Sequence, residues 1–241
     1  MNYGSVLFAI GMVASGVLTI VHRAFYSPWE PVPGFAKDQV WLALLSGALM
    51  AVFGLGLLLK QSFDLSIRVL FWFLLAFLIV MKTPPLLGEW QVELHWLDYG
   101  QIATLVAGAL ALAAPTDRQV RSARYLLGAA LIPIGLSHFF YLKIATPMVP
   151  AILPYREGWV IFTGIAHIAA GLGLLTGVYA WLAAFMEASM LTAFGVLVWL
   201  GPLIGKPGDF NLWVEFIVTI AVANGVYAVA SRLPRASHAQ L

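Results

Sequence analysis

Residues 54–58 read Gly-Leu-Gly-Leu-Leu, and the same five residues recur 117 positions later, at 171–175. Each copy lies inside a long apolar stretch, and neither is followed by the Lys-Ser or Lys-Thr pair that a phosphate-binding loop needs. Small residues inside apolar helices let neighbouring helices pack closely in a bilayer. The recurring pentapeptide therefore predicts closely packed membrane helices, present in two copies.

The register of 117 residues extends well beyond the pentapeptide. The other matching segments are Ser46-Gly47 with Thr163-Gly164, Pro85-Leu86-Leu87-Gly88 with Pro202-Leu203-Ile204-Gly205, and Trp96-Leu97-Asp98-Tyr99 with Trp213-Val214-Glu215-Phe216. One residue of slippage in the first long loop pairs His22 with His138. Because several matches share one register, they indicate a duplication rather than chance similarity between leucine-rich stretches. We expect repeats at 1–116 and 117–232, followed by a short cytoplasmic tail at 233–241.

The composition is typical of a polytopic membrane protein. Of 241 residues, 61% are hydrophobic and 10% charged, whereas soluble domains carry about 25% charged residues. Stretches long enough for a spanning helix of about 20 residues lie at 6–26, 40–59, 69–87, 96–114, 125–144, 159–176, 179–201 and 212–230. Four spans return the chain to its starting side, so the two repeats share one orientation. The predicted fold class is all-α: eight transmembrane helices in two like-oriented four-helix repeats.

Arginine positions predict the orientation. Arg118, Arg121 and Arg124 crowd one short loop, and Arg232 and Arg235 follow the last span. Such clusters mark cytoplasmic loops, so we expect a multi-pass protein of the cell (inner) membrane with both termini in the cytoplasm. Seven tryptophans near predicted span ends on the opposite side are expected to form an aromatic belt: Trp29, Trp41, Trp90, Trp96, Trp159, Trp199 and Trp213.

Several kinds of chemistry are excluded or disfavoured. The chain has no cysteine, which removes disulfides, thiol catalysis and cysteine-ligated clusters. No two histidines are three or four residues apart, so no metal site is expected. The net charge of +2, without a basic cluster among aromatics, gives no reason to expect nucleic acid.

Ionisable residues inside predicted spans are costly and mark candidate ligand-binding positions. Six stand out: His22, Asp98, His138, His167, Glu187 and Glu215. Each repeat has one histidine and one carboxylate near the extracytoplasmic side, for which interfacial anchoring is the alternative interpretation. His167 and Glu187 lie near the middle of adjacent antiparallel spans and can meet, either in a site or as a structural pair.

The second repeat is predicted to hold the pocket. His138 and Glu215 would form its mouth on the extracytoplasmic side, and His167 with Glu187 its floor. The first repeat has Met50 and Leu70 at the two floor positions, so we expect it to be shallower or closed. An imidazole–carboxylate pair can bind a quinone carbonyl or hydroxyl and relay its proton, because imidazole titrates near neutral pH.

One group of segments resembles the DoxX family of small four-helix membrane proteins. It comprises Gly135-Leu136-Ser137-His138, then Met148-Val149-Pro150, then the stretch from Trp159 to Leu175. The similarity covers 125–230 well and 5–114 faintly. It implies a membrane subunit associated with quinone-linked redox complexes, such as the thiosulfate:quinone oxidoreductase of sulfur-oxidising archaea. Where relatives usually carry an acid in their second helix, this chain has Met50 and His167, so chemistry that depends on the acid requires Glu187 to replace it.

Three functions remain open at this point. The first is a membrane subunit or accessory protein of a quinone-dependent oxidoreductase, which binds a quinone or similar lipophile and works with an extracytoplasmic or membrane redox partner. The second is a transporter or carrier of a small or lipid-like solute. The third is a structural or assembly subunit of a membrane complex. The sequence does not assign a catalytic residue.

Overall fold

A computed structural model describes residues 2–235, so residues 236–241 of the predicted tail lie outside the described part. Eight long helices dominate it: α1 Tyr3–His22, α2 Val40–Gly56, α3 Phe63–Gly88, α4 Glu93–Ala113, α5 Asp117–Phe140, α6 Arg156–Thr176, α7 Ala180–Gly205 and α8 Phe210–Ala230. Short helices Gly34–Lys37 and Leu142–Ala145, and the 3₁₀ turn Thr146–Met148, lie in the α1–α2 and α5–α6 loops. The all-α prediction is confirmed for residues 2–235, which contain no strand.

Seven of these helices are long and apolar enough to span a membrane. The eighth, α2, is equally apolar but has 17 residues. At 1.5 Å per residue it is about 26 Å long, slightly shorter than a hydrocarbon core of about 30 Å. The span predicted at 69–87 lies within the longer helix α3, because Arg68 is exposed on the surface of that helix and does not end it.

Helices α3 and α7 are interrupted at corresponding places. Each contains a π-helical segment, Phe77–Lys82 in α3 and Gly195–Leu200 in α7. A proline then lies in the first turn of the α-helical segment that follows, Thr83–Gly88 or Gly201–Gly205. Proline is tolerated in a first turn because its missing N–H has no partner there. Both helices therefore continue past their prolines with altered geometry.

Glycines set the closest helix contacts. A Cβ on Gly47 of α2 would lie 2.9 Å from the Gly16 carbonyl oxygen of α1. A Cβ on Gly171 of α6 would lie 2.8 Å from the Gly128 carbonyl oxygen of α5, and one on Gly54 2.9 Å from Val13. The prediction that the recurring glycines serve close helix packing is confirmed at these positions.

Helices α4 and α8 run parallel, side by side. A Cβ on Gly108 would lie 2.8 Å from the Gly225 carbonyl oxygen. At their C-terminal ends, Arg232 donates to the Ala114 carbonyl oxygen at 2.8 Å. Asp98 is the sixth residue of α4, and Glu215 is the sixth residue of α8. Asp98 and Glu215 therefore lie at the same end of the bundle, as the register of 117 residues predicts.

Both ends of the described chain and five arginines lie at the opposite end of the bundle, which we call the arginine end (Arg118, Arg121, Arg124, Arg232 and Arg235). There the N-terminal part of α1 packs on the last turn of α8, where a Cβ on Gly4 would lie 2.9 Å from the Tyr227 carbonyl oxygen. Arg124 donates to the Leu174 carbonyl oxygen, and the guanidinium of Arg235 lies 5.2 Å from the ring centre of Trp181.

Candidate functional site

Helices α6 and α7 bring His167 and Glu187 into direct contact. The imidazole Nδ1 of His167 lies 2.6 Å from Oε1 of Glu187, and the two residues are 0% and 2% exposed. His167 is eleven residues into α6, about 16 Å from its start, which places the pair near the middle of the helix. The prediction that these two residues meet is confirmed.

The pair leaves two buried polar atoms without a partner. Among the described residues, neither His167 Nε2 nor Glu187 Oε2 has a hydrogen-bond partner. Buried polar atoms are nearly always hydrogen-bonded, and each unpaired one costs about 1–3 kcal/mol. Two such atoms at one contact are free to bond to a polar group of a ligand or to water, which makes this contact the candidate site.

The shared proton determines what the pair offers to a ligand. If Glu187 is ionised, His167 Nδ1–H donates to it and His167 Nε2 is a hydrogen-bond acceptor. If Glu187 is protonated, its hydroxyl donates to Nδ1 and His167 Nε2–H is a donor. The positions of the heavy atoms are the same in both states. One geometry can therefore bind either a hydroxyl or a carbonyl group.

His138 extends the cluster towards the edge of the bundle. Its ring centre lies 4.9 Å from that of His167, and its Nδ1 donates to the Ile134 carbonyl oxygen at 3.0 Å. That bond leaves Nε2 of a neutral His138 as an acceptor. Phe194 lies beside both imidazoles, with ring centres at 6.4 and 6.2 Å. Three polar side chains thus run from the half-buried His138 to the fully buried Glu187.

The structure does not bring Glu215 into this cluster. Glu215 is exposed near the start of α8, and among the described residues it makes no hydrogen bond or ion pair with His138. The predicted mouth of His138 and Glu215 is therefore not observed. The physical reason is that His138 turns towards α6 and α7, where His167 and Phe194 contact it, whereas the side chain of Glu215 is exposed on α8.

The predicted histidine–carboxylate pair of the first repeat is also not formed. His22 is exposed and stacks on Phe210, with ring centres 3.8 Å apart. Asp98, 2% exposed, lies 3.8 Å from Lys82 Nζ and accepts a hydrogen bond of 3.3 Å from Ser27. Sequence reasoning did not single out Lys82 as a candidate residue. Its position within the apolar stretch 69–87 was the available signal.

Helix packing corrects the pairing of His22 with His138. A Cβ on Gly47 would meet Thr19 Cβ at 3.1 Å, and a Cβ on Gly164, 117 residues later, would meet His138 Cβ at 2.8 Å. In this contact Thr19, and not His22, has the position that His138 has, so the helix packing does not show the predicted pairing of His22 with His138.

The first half of the chain has no polar pair at the two floor positions. Met50 and Leu70, 117 residues before His167 and Glu187, are both 0% exposed. Trp29 is 1% exposed, with its ring centre 5.1 Å from that of Phe77, so its assignment to an aromatic belt was wrong. Most of the other tryptophans of the predicted belt are exposed: Trp41, Trp90, Trp96, Trp159 and Trp213.

A family model described as "Domain of unknown function (DUF8561)" matches residues 127–197, which is less than half of the chain. The matched segment contains His138, His167, Glu187 and Phe194, and ends before Glu215. No curated protein and no solved structure matches the chain.

Proposed function

We propose that the chain is a membrane subunit or accessory protein of a quinone-linked redox system, and that its second half binds a quinone or similar lipophile. The observation that carries this proposal is the buried His167–Glu187 contact of 2.6 Å, with one unpartnered polar atom on each residue. Burying an ionisable pair in an apolar bundle costs free energy, so such a pair usually has a function. A quinone headgroup offers the carbonyl or hydroxyl oxygens that the two free atoms require.

The proposal includes eight membrane spans in two like-oriented repeats. After a shift of 117 residues the bounds of α4 coincide with those of α8. Two tryptophans mark the same correspondence: Trp96 Nε1 donates to the Trp90 carbonyl oxygen, and Trp213 Nε1 to that of Pro207. The parallel contact of α4 with α8 supports like orientation. The counterpart of α2 is α6, which has spanning length, so we count α2 as the eighth span.

The proposed orientation has the arginine end in the cytoplasm. Five arginines and both ends of the described chain lie there, and positive loops are retained on the cytoplasmic side. The His138 side of the candidate site then faces the extracytoplasmic end. A hydrophilic redox partner that supplies or takes electrons would dock at that end or within the membrane.

The chemistry of the site follows from the shared proton. Oxidation of a quinol releases two protons and two electrons. With Glu187 ionised, His167 Nε2 accepts a proton from the quinol hydroxyl, and the carboxylate stabilises the imidazolium that forms. The other hydroxyl, at the opposite end of the quinol ring, loses its proton to a separate acceptor, and both electrons pass to the redox partner. In the reverse direction the protonated pair donates to a quinone carbonyl.

Direct binding tests the proposal. Purified protein in lipid nanodiscs is titrated with a short-chain ubiquinone or menaquinone, and quenching of tryptophan fluorescence is recorded. We expect saturable binding that weakens at least tenfold in Glu187→Gln and in His167→Ala. His22→Ala, which changes an exposed histidine, is the matched control and should bind as the parent does. Unsaturable quenching, or equal affinity in all variants, contradicts the proposal.

A second function, transport of a small or lipid-like solute, is favoured by one specific observation. The helices α3 and α7 are broken by π-helical segments and prolines at corresponding places in the two halves. Interrupted helices at matching positions often mark the substrate site of a transporter. Uptake of labelled solutes into proteoliposomes distinguishes the two functions, because a redox subunit moves no solute.

A further inference from the structure

The two halves differ most in the loop that follows their first helix. The first loop (residues 23–39) folds into the bundle: Phe25, Tyr26 and Trp29 are 5%, 5% and 1% exposed. The second loop (residues 141–155) contains no buried residue, and its Ile152 is 90% exposed. A shallow groove runs beside the second loop at the start of α6 and includes Tyr155 and Trp159. The same end of the bundle is thus filled in one half and open in the other.

Polar contacts hold the first loop in place. Lys82 donates to the carbonyl oxygens of Glu30 at 2.8 Å and Pro31 at 3.4 Å, while its ammonium is balanced by Asp98. Asp98 in turn accepts a hydrogen bond from Ser27 of the loop. Tyr26 donates to the Ser15 carbonyl oxygen of α1 at 3.1 Å. Burial raises the pKa of Tyr26 to about 12, so this hydroxyl remains a donor.

The side chain at the centre of the first loop lies where the candidate site lies in the second half. Trp29 packs edge-on against Phe77, with an interplanar angle of 85°. Phe77 precedes Phe194 by 117 residues, and Phe194 is the ring beside His138 and His167. In the first half, Thr19 and Met50 stand where the second half has the imidazoles of His138 and His167. We call the corresponding space of the first half its chamber: the indole of Trp29 lies there, and Met50 and Leu70 stand in place of the ionisable pair.

We infer that the first loop is a built-in plug: Trp29 is the permanent occupant of the first half's chamber, and Lys82 with Asp98 is the latch that keeps it there. The chain then has one ligand site, in the second half, whose loop does not fold into the bundle. That the plugged chamber corresponds to a ligand site rests on the proposed function; the latching of the loop does not.

Cysteine accessibility tests the latch, because the natural chain has no cysteine. Ala36, 0% exposed within the first loop, is changed to cysteine, and Ala151→Cys, at an exposed position of the second loop, is the matched control. Each protein in nanodiscs is treated with a membrane-impermeant maleimide. We expect Ala36→Cys to react at least tenfold more slowly than Ala151→Cys.

Removing the latch should then expose the first loop. Lys82→Met combined with Asp98→Leu takes away both charges together, so no buried charge remains to unfold the protein. In this background we expect the reaction of Ala36→Cys to accelerate at least tenfold and that of Ala151→Cys to stay unchanged. Size-exclusion elution at the parent's position shows that the bundle is intact. Slow reaction of Ala36→Cys in both backgrounds, or rapid reaction in both, overturns the inference.

The stoichiometry of a bound quinone tests the assignment of the chamber separately. We expect one quinone per chain in the parent and still one when Trp29→Ala is added to the unlatched background, because Met50 and Leu70 stand where the second half has His167 and Glu187. A second bound quinone, with the loop released as judged by cysteine labelling, overturns the inference that the chain has one ligand site. If no variant binds a quinone, the proposed function fails, and the labelling result still decides whether the loop is latched.

Discussion

Replacing His167 and Glu187 by the residues at the corresponding positions of the first half tests whether the pair serves ligand binding or the stability of the fold. His167→Met leaves Glu187 fully buried with both carboxylate oxygens unpaired, since its Oε2 already has no partner among the described residues. Removing one member of a buried ion pair costs about 3–5 kcal/mol, and at 0% and 2% exposure water does not reduce that cost. His167→Met with Glu187→Leu copies Met50 and Leu70, which are both fully buried in the first half.

Apolar replacement of both partners of a buried pair is usually neutral, or stabilising by about 1–4 kcal/mol. The double variant should therefore be at least as stable as the parent, with a coupling energy of about 3 kcal/mol or more between the sites. Reversible unfolding in mixed micelles with increasing SDS measures the free energy of unfolding of four proteins: the parent, His167→Met, Glu187→Leu and the double variant. Additive losses, with the double variant the least stable of the four, would refute the reasoning that the pair is an energetic burden kept for binding.

Three further predictions concern the frame around the site. Gly108→Leu forces a side chain into the α4–α8 crossing and should lower stability by about 1–3 kcal/mol, whereas Gly201→Leu, with open space around its Cα, should have little effect in the same melting assay. Asp98→Asn leaves the Lys82 ammonium without a counter-charge and should cost about 3–5 kcal/mol, which adding Lys82→Met should largely recover; no recovery contradicts the ion pair. Reporters fused to the N-terminus and to the C-terminus should be active only in the cytoplasm, and periplasmic activity of either reporter rules out the proposed orientation.

The sequence was sufficient to predict the helices and the contact between His167 and Glu187, which is the deepest contact of the site. Apolar length predicts helices because a bilayer requires every backbone group to be bonded within its own segment. Antiparallel neighbours at similar depth were enough to predict that His167 and Glu187 meet, because helical rise fixes depth from residue number. The register of 117 residues likewise predicted that Asp98 and Glu215 lie at one end of the bundle.

Contacts that depend on side-chain direction or on loop paths could not be predicted. Whether Glu215 faces the cluster depends on the rotation of α8 about its axis, and apolar patterning is too uniform in a membrane helix to fix that rotation. Lys82 lies close to the end of a predicted span, where a lysine can usually extend to water, so its burial against the first loop was not foreseen. The burial of Trp29 could not be predicted either, because hydrophobic periodicity does not encode the path of a 17-residue loop.

The central claim is tested most directly by the molecules that co-purify with the protein. Protein extracted from its native membrane in mild detergent is analysed by quantitative mass spectrometry of its organic extract, beside the stable double variant His167→Met with Glu187→Leu. We predict about one quinone or similar lipophile per chain in the parent, enriched over the membrane average, and only the background level in the double variant. Equal amounts in the two proteins, or no enrichment in the parent, would contradict the claim that His167 and Glu187 form a ligand site.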